Sequence, residues 1–276
     1  MPPRDGRAGR LALLWAAAGL WVVAALAAPV IRQPAGYHDF ADQRSAWGVP
    51  RAADVLSNAA IGIGALAGLL GLARRAAFPG RLAYAIFFAC MLATTAGSSW
   101  YHLAPDDARL IWDRLPIALG SVALPVALLA ERVAPVAQRR LLLPALLLAP
   151  AAVWLWWDSH LAGAGDLRAY LAVTAFPLVL VPAVLWLFPC RAVGTEPAAA
   201  PAYCVSAATW WTVLALYAAA RLAEVGDAAL FTATGERLSG HTVKHLAAGA
   251  AVAVLAAGLA AAGRRQSRNC ASASSR

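Results

Sequence analysis

An all-α bundle of membrane-spanning helices is the fold class this sequence predicts, and three observations carry the prediction. The 276 residues are 61% hydrophobic and 13% charged, with a mean hydropathy of +0.63; a soluble domain carries roughly 25% charged residues. The apolar runs are long and rich in Ala and Leu, without the two-residue alternation of a barrel strand. The arginines fall mostly between those runs.

A helix needs roughly 17–25 largely apolar residues to cross the hydrocarbon layer. Eight segments are expected to do so: 11–30, 53–73, 82–102, 108–130, 141–157, 168–188, 207–225 and 241–262. The first follows Arg4, Arg7 and Arg10 and ends near Ala27-Ala28-Pro29, the layout of a signal peptide. Its length suits a retained signal-anchor helix over 1–30, with cleavage as the alternative. Gly64 and Gly68 give the second span a small-xxx-small step for close helix packing. The third runs into Gly97-Ser98-Ser99-Trp100-Tyr101-His102, and the fourth carries Asp113 about two turns from its start. The fifth is short and ends in Trp154, Trp156 and Trp157, an interfacial anchor. The seventh holds Arg221 and Glu224 at i and i+3, spaced for a structural ion pair. The eighth opens on His241 and His245, and the Ser/Arg-rich tail 263–276 is expected to be disordered. Residues 31–262 form one membrane domain.

Charge sets the expected topology. The net charge is +9, and Lys244 is the single lysine among 23 basic residues. A nucleic-acid binder gathers its charge on one soluble face, whereas here the charge separates by loop. With the N-terminus inside, segments 1–10, 74–81, 131–140, 189–206 and 263–276 hold fourteen arginines, and 31–52, 103–109, 158–168 and 226–240 hold six. The bias predicts both termini in the cytoplasm and a multi-pass protein of the cell (inner or plasma) membrane. Cys90, Cys190, Cys204 and Cys270 contain no CxxC pair, so they read as unpaired thiols.

The polar residues inside the spans converge in this topology. His102 ends the third span on the outer side, Asp113 lies near the outer start of the fourth, and His241 and His245 open the eighth from outside. His241 and His245 at i and i+4 share one helix face, as do Ser98 and His102. Three histidines with one open position are the usual protein ligands of a catalytic zinc. Such an ion lowers the pKa of water toward about 7 and polarises a carbonyl. A carboxylate inside a span costs roughly 2.5–3.5 kcal/mol on the insertion scale, so Asp113 needs a reason. It either pairs with Arg109, four residues earlier, or serves the metal site. His38 and His160 read as interfacial or solvated.

These residues carry a family resemblance. Gly97-Ser98-Ser99-Trp100-Tyr101-His102, followed by Asp113-Arg114-Leu115-Pro116, resembles the GSxxFH…LDELP signature of alkaline ceramidases. His241-Thr242-Val243-Lys244-His245 is similar to that family's late HxxxH pair, and Ser57-Asn58 to its early Ser-Asn step. The resemblance covers about 50–260. The progestin and adipoQ receptors share the SxxxH, Asp, HxxxH plan of the wider superfamily. The resemblance implies a seven-helix zinc amidohydrolase, here with an extra N-terminal transmembrane helix. His102, His241 and His245 would ligate zinc, Asp113 would orient or deprotonate water, and Ser98 would assist the oxyanion. Two departures bear on the lipid accepted: Arg114 replaces an acidic residue, and Lys244 an aromatic one. The eukaryotic ceramidases hold calcium in the segment equivalent to 31–52. Here Asp39, Asp42 and Asp54 are the acidic residues available, with Arg44 and Arg51 beside them, so bound Ca2+ and a salt-bridged lid are both open.

The expected activity is hydrolysis of a ceramide-like membrane lipid to a long-chain base and a fatty acid, with lateral entry of the lipid from the bilayer. Its rivals are a hydrolase of another lipid amide or ester, and a receptor-like protein with structural zinc. A transporter would show internal repeats, and none is present.

Overall fold

A computed structural model describes residues 6–190 and 203–274. Ten helices follow in order: α1 (Arg7–Ala27), α2 (Ala52–Ser57), α3 (Ala59–Ala73), α4 (Arg81–Leu103), α5 (Asp107–Arg132), α6 (Val136–Leu161), α7 (Arg168–Leu187), α8 (Ala207–Val225), α9 (Asp227–Ala233) and α10 (Gly240–Ser274). Among the described residues the only β pairing is two isolated bridges, Arg32 with Asp166 and Ala46 with Val49. Seven of these segments, with α2 and α3 taken together, are long and apolar enough to cross a membrane, compatible with an integral membrane protein. Of the eight expected spans the exception is 207–225, here α8, whose composition is lowered by Arg221 and Glu224. It nonetheless runs the length of the bundle. At its start the backbone N–H of Val205 donates to Glu131 of α5, and in its last turn Glu224 meets Lys244 near the start of α10.

Packing decides the arrangement, since lipid tails give helices no hydrophobic reason to associate. The most enclosed of the apolar helices is α5, which packs on α4, α6 and α7. Close backbone approach sets the two contacts that matter most here. A side chain at Gly97 of α4 would collide with the Trp112 carbonyl of α5, and one at Gly249 of α10 would sit 2.6 Å from the Ala60 carbonyl carbon of α3. Gly64 faces α10 and Gly68 faces Phe88 of α4, so the small-residue step serves two different neighbours. The N-terminal helix α1 packs on α7, where the Trp21 indole donates to the Ala172 carbonyl at 2.9 Å. Prolines lie inside α5, α6 and α7, tolerated because packed neighbours shield the freed carbonyls.

Three expectations need correction. The second span breaks at Asn58, because the Asp54 carbonyl accepts from the side chains of Ser57 (3.1 Å) and Asn58 (3.0 Å) in place of a regular backbone donor. The tail read as disordered continues α10 to Ser274, as Ala and Arg propensity favours. Cys190 and Cys204 are joined in a disulfide rather than free, while Cys90 is a free, buried thiol. Arg4, Arg191 and Arg276, counted in the charge bias, lie outside the described residues.

Candidate metal centre

Three segments build the centre. The α4–α5 contact at Gly97 brings Ser98, His102 and Asp113 to one end of the bundle, and α10 enters from the same end with His241 and His245. One ligand nitrogen from each of His102, His241 and His245 falls within 4.8 Å of the others, and all three rings are buried. His102 Nε2 and His241 Nε2 face each other at 3.1 Å. His245 Nδ1 is fixed from behind by Ser57 Oγ at 2.9 Å and the Asp54 carbonyl at 3.1 Å, which leaves Nε2 buried without a partner. A ring anchored through one nitrogen with the other orphaned is how proteins present a histidine to a metal. The donor set is therefore fit for a metal ion: three imidazoles suit transition metals and are a poor match for calcium or magnesium.

Asp113 stands outside that cluster. It is 8% exposed, its Oδ1 has no hydrogen-bond partner, and Ser98, Lys244, Arg114 and the like-charged Glu224 are the groups that bear on it. Arg109 does not pair with it. The Arg109 guanidinium meets Asp106 at 3.4 Å and lies over the Trp100 ring, so the alternative of an Arg109–Asp113 salt bridge is not what forms. Lys244 links the parts. Its ammonium donates to Glu224 at 2.9 Å and approaches His241 Nε2 at 3.2 Å, and Glu224 also pairs with Arg221. The expected Arg221–Glu224 pair is thus one end of a polar string that reaches the triad.

The 28–51 segment lies over the centre. The Phe40 ring packs edge-on against His102 and His241, with centroids 4.7 and 4.4 Å away. Asp227 ties this lid to α10, accepting from the N–H of Ala41 at 2.9 Å and of His241 at 2.8 Å. His38 donates to or accepts from the Tyr101 hydroxyl at 2.8 Å and faces Asp107 at 3.3 Å; His160 faces the same carboxylate at 3.5 Å. The two histidines read as interfacial or solvated are half-buried around Asp107. Neither Phe40 nor Asp227 carried a sequence signal, because each acts only through chain segments that fold together.

Asp39, Asp42 and Asp54 do not gather as a cation site. Asp39 is exposed, Asp42 forms a two-point pair with Arg44 (2.8 and 2.6 Å), and Asp54 accepts from Thr242 (2.7 Å) and Ser239 (3.3 Å). The Arg44 side chain holds the Asp42 carboxyl below the usual carboxylate range. Among the described residues the histidine triad is the one group of three or more such side chains placed to share an ion. The chain matches no protein-family model, no curated protein and no solved structure.

Proposed function

We propose that the chain is an intramembrane zinc-dependent hydrolase that cleaves the amide bond of a ceramide-like lipid, in line with its resemblance to the alkaline ceramidases. The observation that carries the reading is the convergence of His102, His241 and His245, with Asp113, a buried carboxylate with an unpartnered oxygen, at the same end of the bundle. Three imidazoles leave a four-coordinate zinc one open position, whereas a structural zinc is usually closed by four protein ligands. When bound, the ion supplies Lewis acidity at that position.

The chain's own residues divide the remaining work. In this reading Asp113 takes the proton of the attacking water at Oδ1 and delivers it to the departing amine. The Ser98 hydroxyl donates to the carbonyl oxygen as negative charge develops there, and Lys244 adds a fixed positive charge nearby. Ser57 and the Asp54 carbonyl keep the His245 ring in one orientation. Phe40 and the lid limit access of bulk water to the centre. The arginine bias supports cytoplasmic termini and a centre facing the outer side.

The test is lipid-class profiling with purified protein. A panel of ceramides, other lipid amides and lipid esters is incubated with metal-loaded and chelator-treated protein. Fatty-acid release from ceramide, lost on chelation and restored by zinc, is the expected result. Stoichiometric zinc with no hydrolysis of any member of the panel favours the receptor-like reading.

A further inference from the structure

Arg114, beside Asp113 on α5, has a setting that the hydrolase mechanism does not use. It is 2% exposed, and its Nε and Nη1 are buried without hydrogen-bond partners among the described residues. Three aromatic rings hold its guanidinium instead, with centroids at 4.0 Å (Trp156), 5.0 Å (Tyr37) and 5.1 Å (Tyr170). A ring face attracts the cation through its quadrupole and offers no hydrogen-bond acceptor in the plane of the N–H groups. So the rings stabilise the charge and leave the donors unsatisfied. Trp156, wholly buried, has its own orphan donor at Nε1.

We propose that Arg114 and Trp156 form a buried carboxylate-binding subsite that holds the ionised head of a single acyl chain at the histidine-triad end of the bundle. Arginine and indole offer donors and no acceptor, so the missing partner is an acceptor-only group. A planar guanidinium edge fits a carboxylate through two parallel hydrogen bonds. Toward the bilayer, α7, which carries Tyr170, touches α8 only sparsely, and the Arg221 side chain of α8 is half exposed, so we place the acyl tail between these two helices. The subsite deepens the hydrolase reading, because amide cleavage releases a fatty acid, yet its chemistry does not require the metal.

The test measures equilibrium binding of palmitate, hexadecanol and hexadecyl phosphate to the full chain in nanodiscs, metal-loaded and metal-stripped. Palmitate is expected to bind tenfold to a hundredfold tighter than hexadecanol, roughly the effect of a charged hydrogen-bonded pair. Arg114→Gln should abolish that preference, and Arg114→Lys should keep a weaker one. Trp156→Phe, which keeps a six-membered aromatic ring and removes the N–H, should lower palmitate affinity several-fold while leaving hexadecanol affinity unchanged; it decides the matter if Arg114→Gln does not fold. Equal binding of palmitate and hexadecanol overturns the subsite, as does an unchanged preference in Arg114→Gln or, failing that, in Trp156→Phe. Tighter binding of hexadecyl phosphate overturns the carboxylate assignment in favour of a phosphate headgroup. A palmitate preference in protein that hydrolyses nothing overturns the hydrolase reading alone, and its absence from an active enzyme overturns the subsite alone.

Discussion

Replacing Asp113 by Asn separates chemistry from scaffolding. The substitution keeps the size and a hydrogen-bonding group and removes the charge and the base. Loss of a general base costs about 10²–10⁴-fold in rate, or roughly 2.7–5.4 kcal/mol of barrier. The structure sets a different expectation for stability. Asp113 Oδ1 accepts no hydrogen bond, and Arg109 is engaged elsewhere, with Asp106 and Trp100. Removing a buried charge with an orphan oxygen gives up little, so the melting temperature of Asp113→Asn should stay level or rise. Arg109→Gln should lose an exposed ion pair and a ring contact, about 1 kcal/mol together, with hydrolysis intact. Metal content, melting temperature and ceramide hydrolysis are measured in both variants. Near-normal hydrolysis by a folded, metal-loaded Asp113→Asn protein would refute the catalytic role. A matching loss of stability in both variants would refute the claim that Asp113 and Arg109 are uncoupled.

The other predictions are more local. Elemental analysis should find one zinc per chain, lost in a His102/His241/His245 triple alanine variant; stoichiometric zinc retained there sinks the centre. Ser57→Ala frees the His245 ring and should weaken metal affinity about 10–100-fold by competition with a chelating dye, and an unchanged affinity means that the anchor is idle. In the lid, Arg44 depresses the Asp42 carboxyl below its ordinary value of 3.8. The pair therefore contributes its full stability above that pH and loses it as the pH falls through the depressed value. An acid-side melting curve should show this loss in wild type and not in Asp42→Ala, which should also turn over more slowly; unchanged stability and activity in the variant remove the pair from the mechanism. Cys190 and Cys204 lie at the arginine-rich end of the bundle, where a bond and a cytoplasmic location pull in opposite directions. An impermeant thiol reagent, with and without reduction, should reach them only after permeabilisation if the charge bias holds, and labelling in intact cells after reduction inverts the topology.

Much of the architecture was legible because a membrane leaves few choices. Apolar length placed the eight expected spans as helices, seven of them long and apolar enough to cross a membrane and the other, α8, short of that measure, and helical spacing put His241 with His245 and Ser98 with His102 on single faces. The histidine triad followed from motif order and from the end of each span on which its members fall. What one dimension could not contain was contact between distant segments. Arg109 and Asp113 have good i, i+4 spacing, yet Asp106 and Trp100 sit closer to where the guanidinium points. The acidic residues near the lid looked alike as a string, but Arg44 claims Asp42 and Thr242 claims Asp54. Arg114 read only as a departure from a motif until Tyr37, Trp156 and Tyr170, from three other segments, enclosed it. Spacing along a helix fixes which side chains share a face, a local property of the backbone. Which partner a side chain takes, and which of its donors are left without one, depends on helices that meet only when the bundle closes.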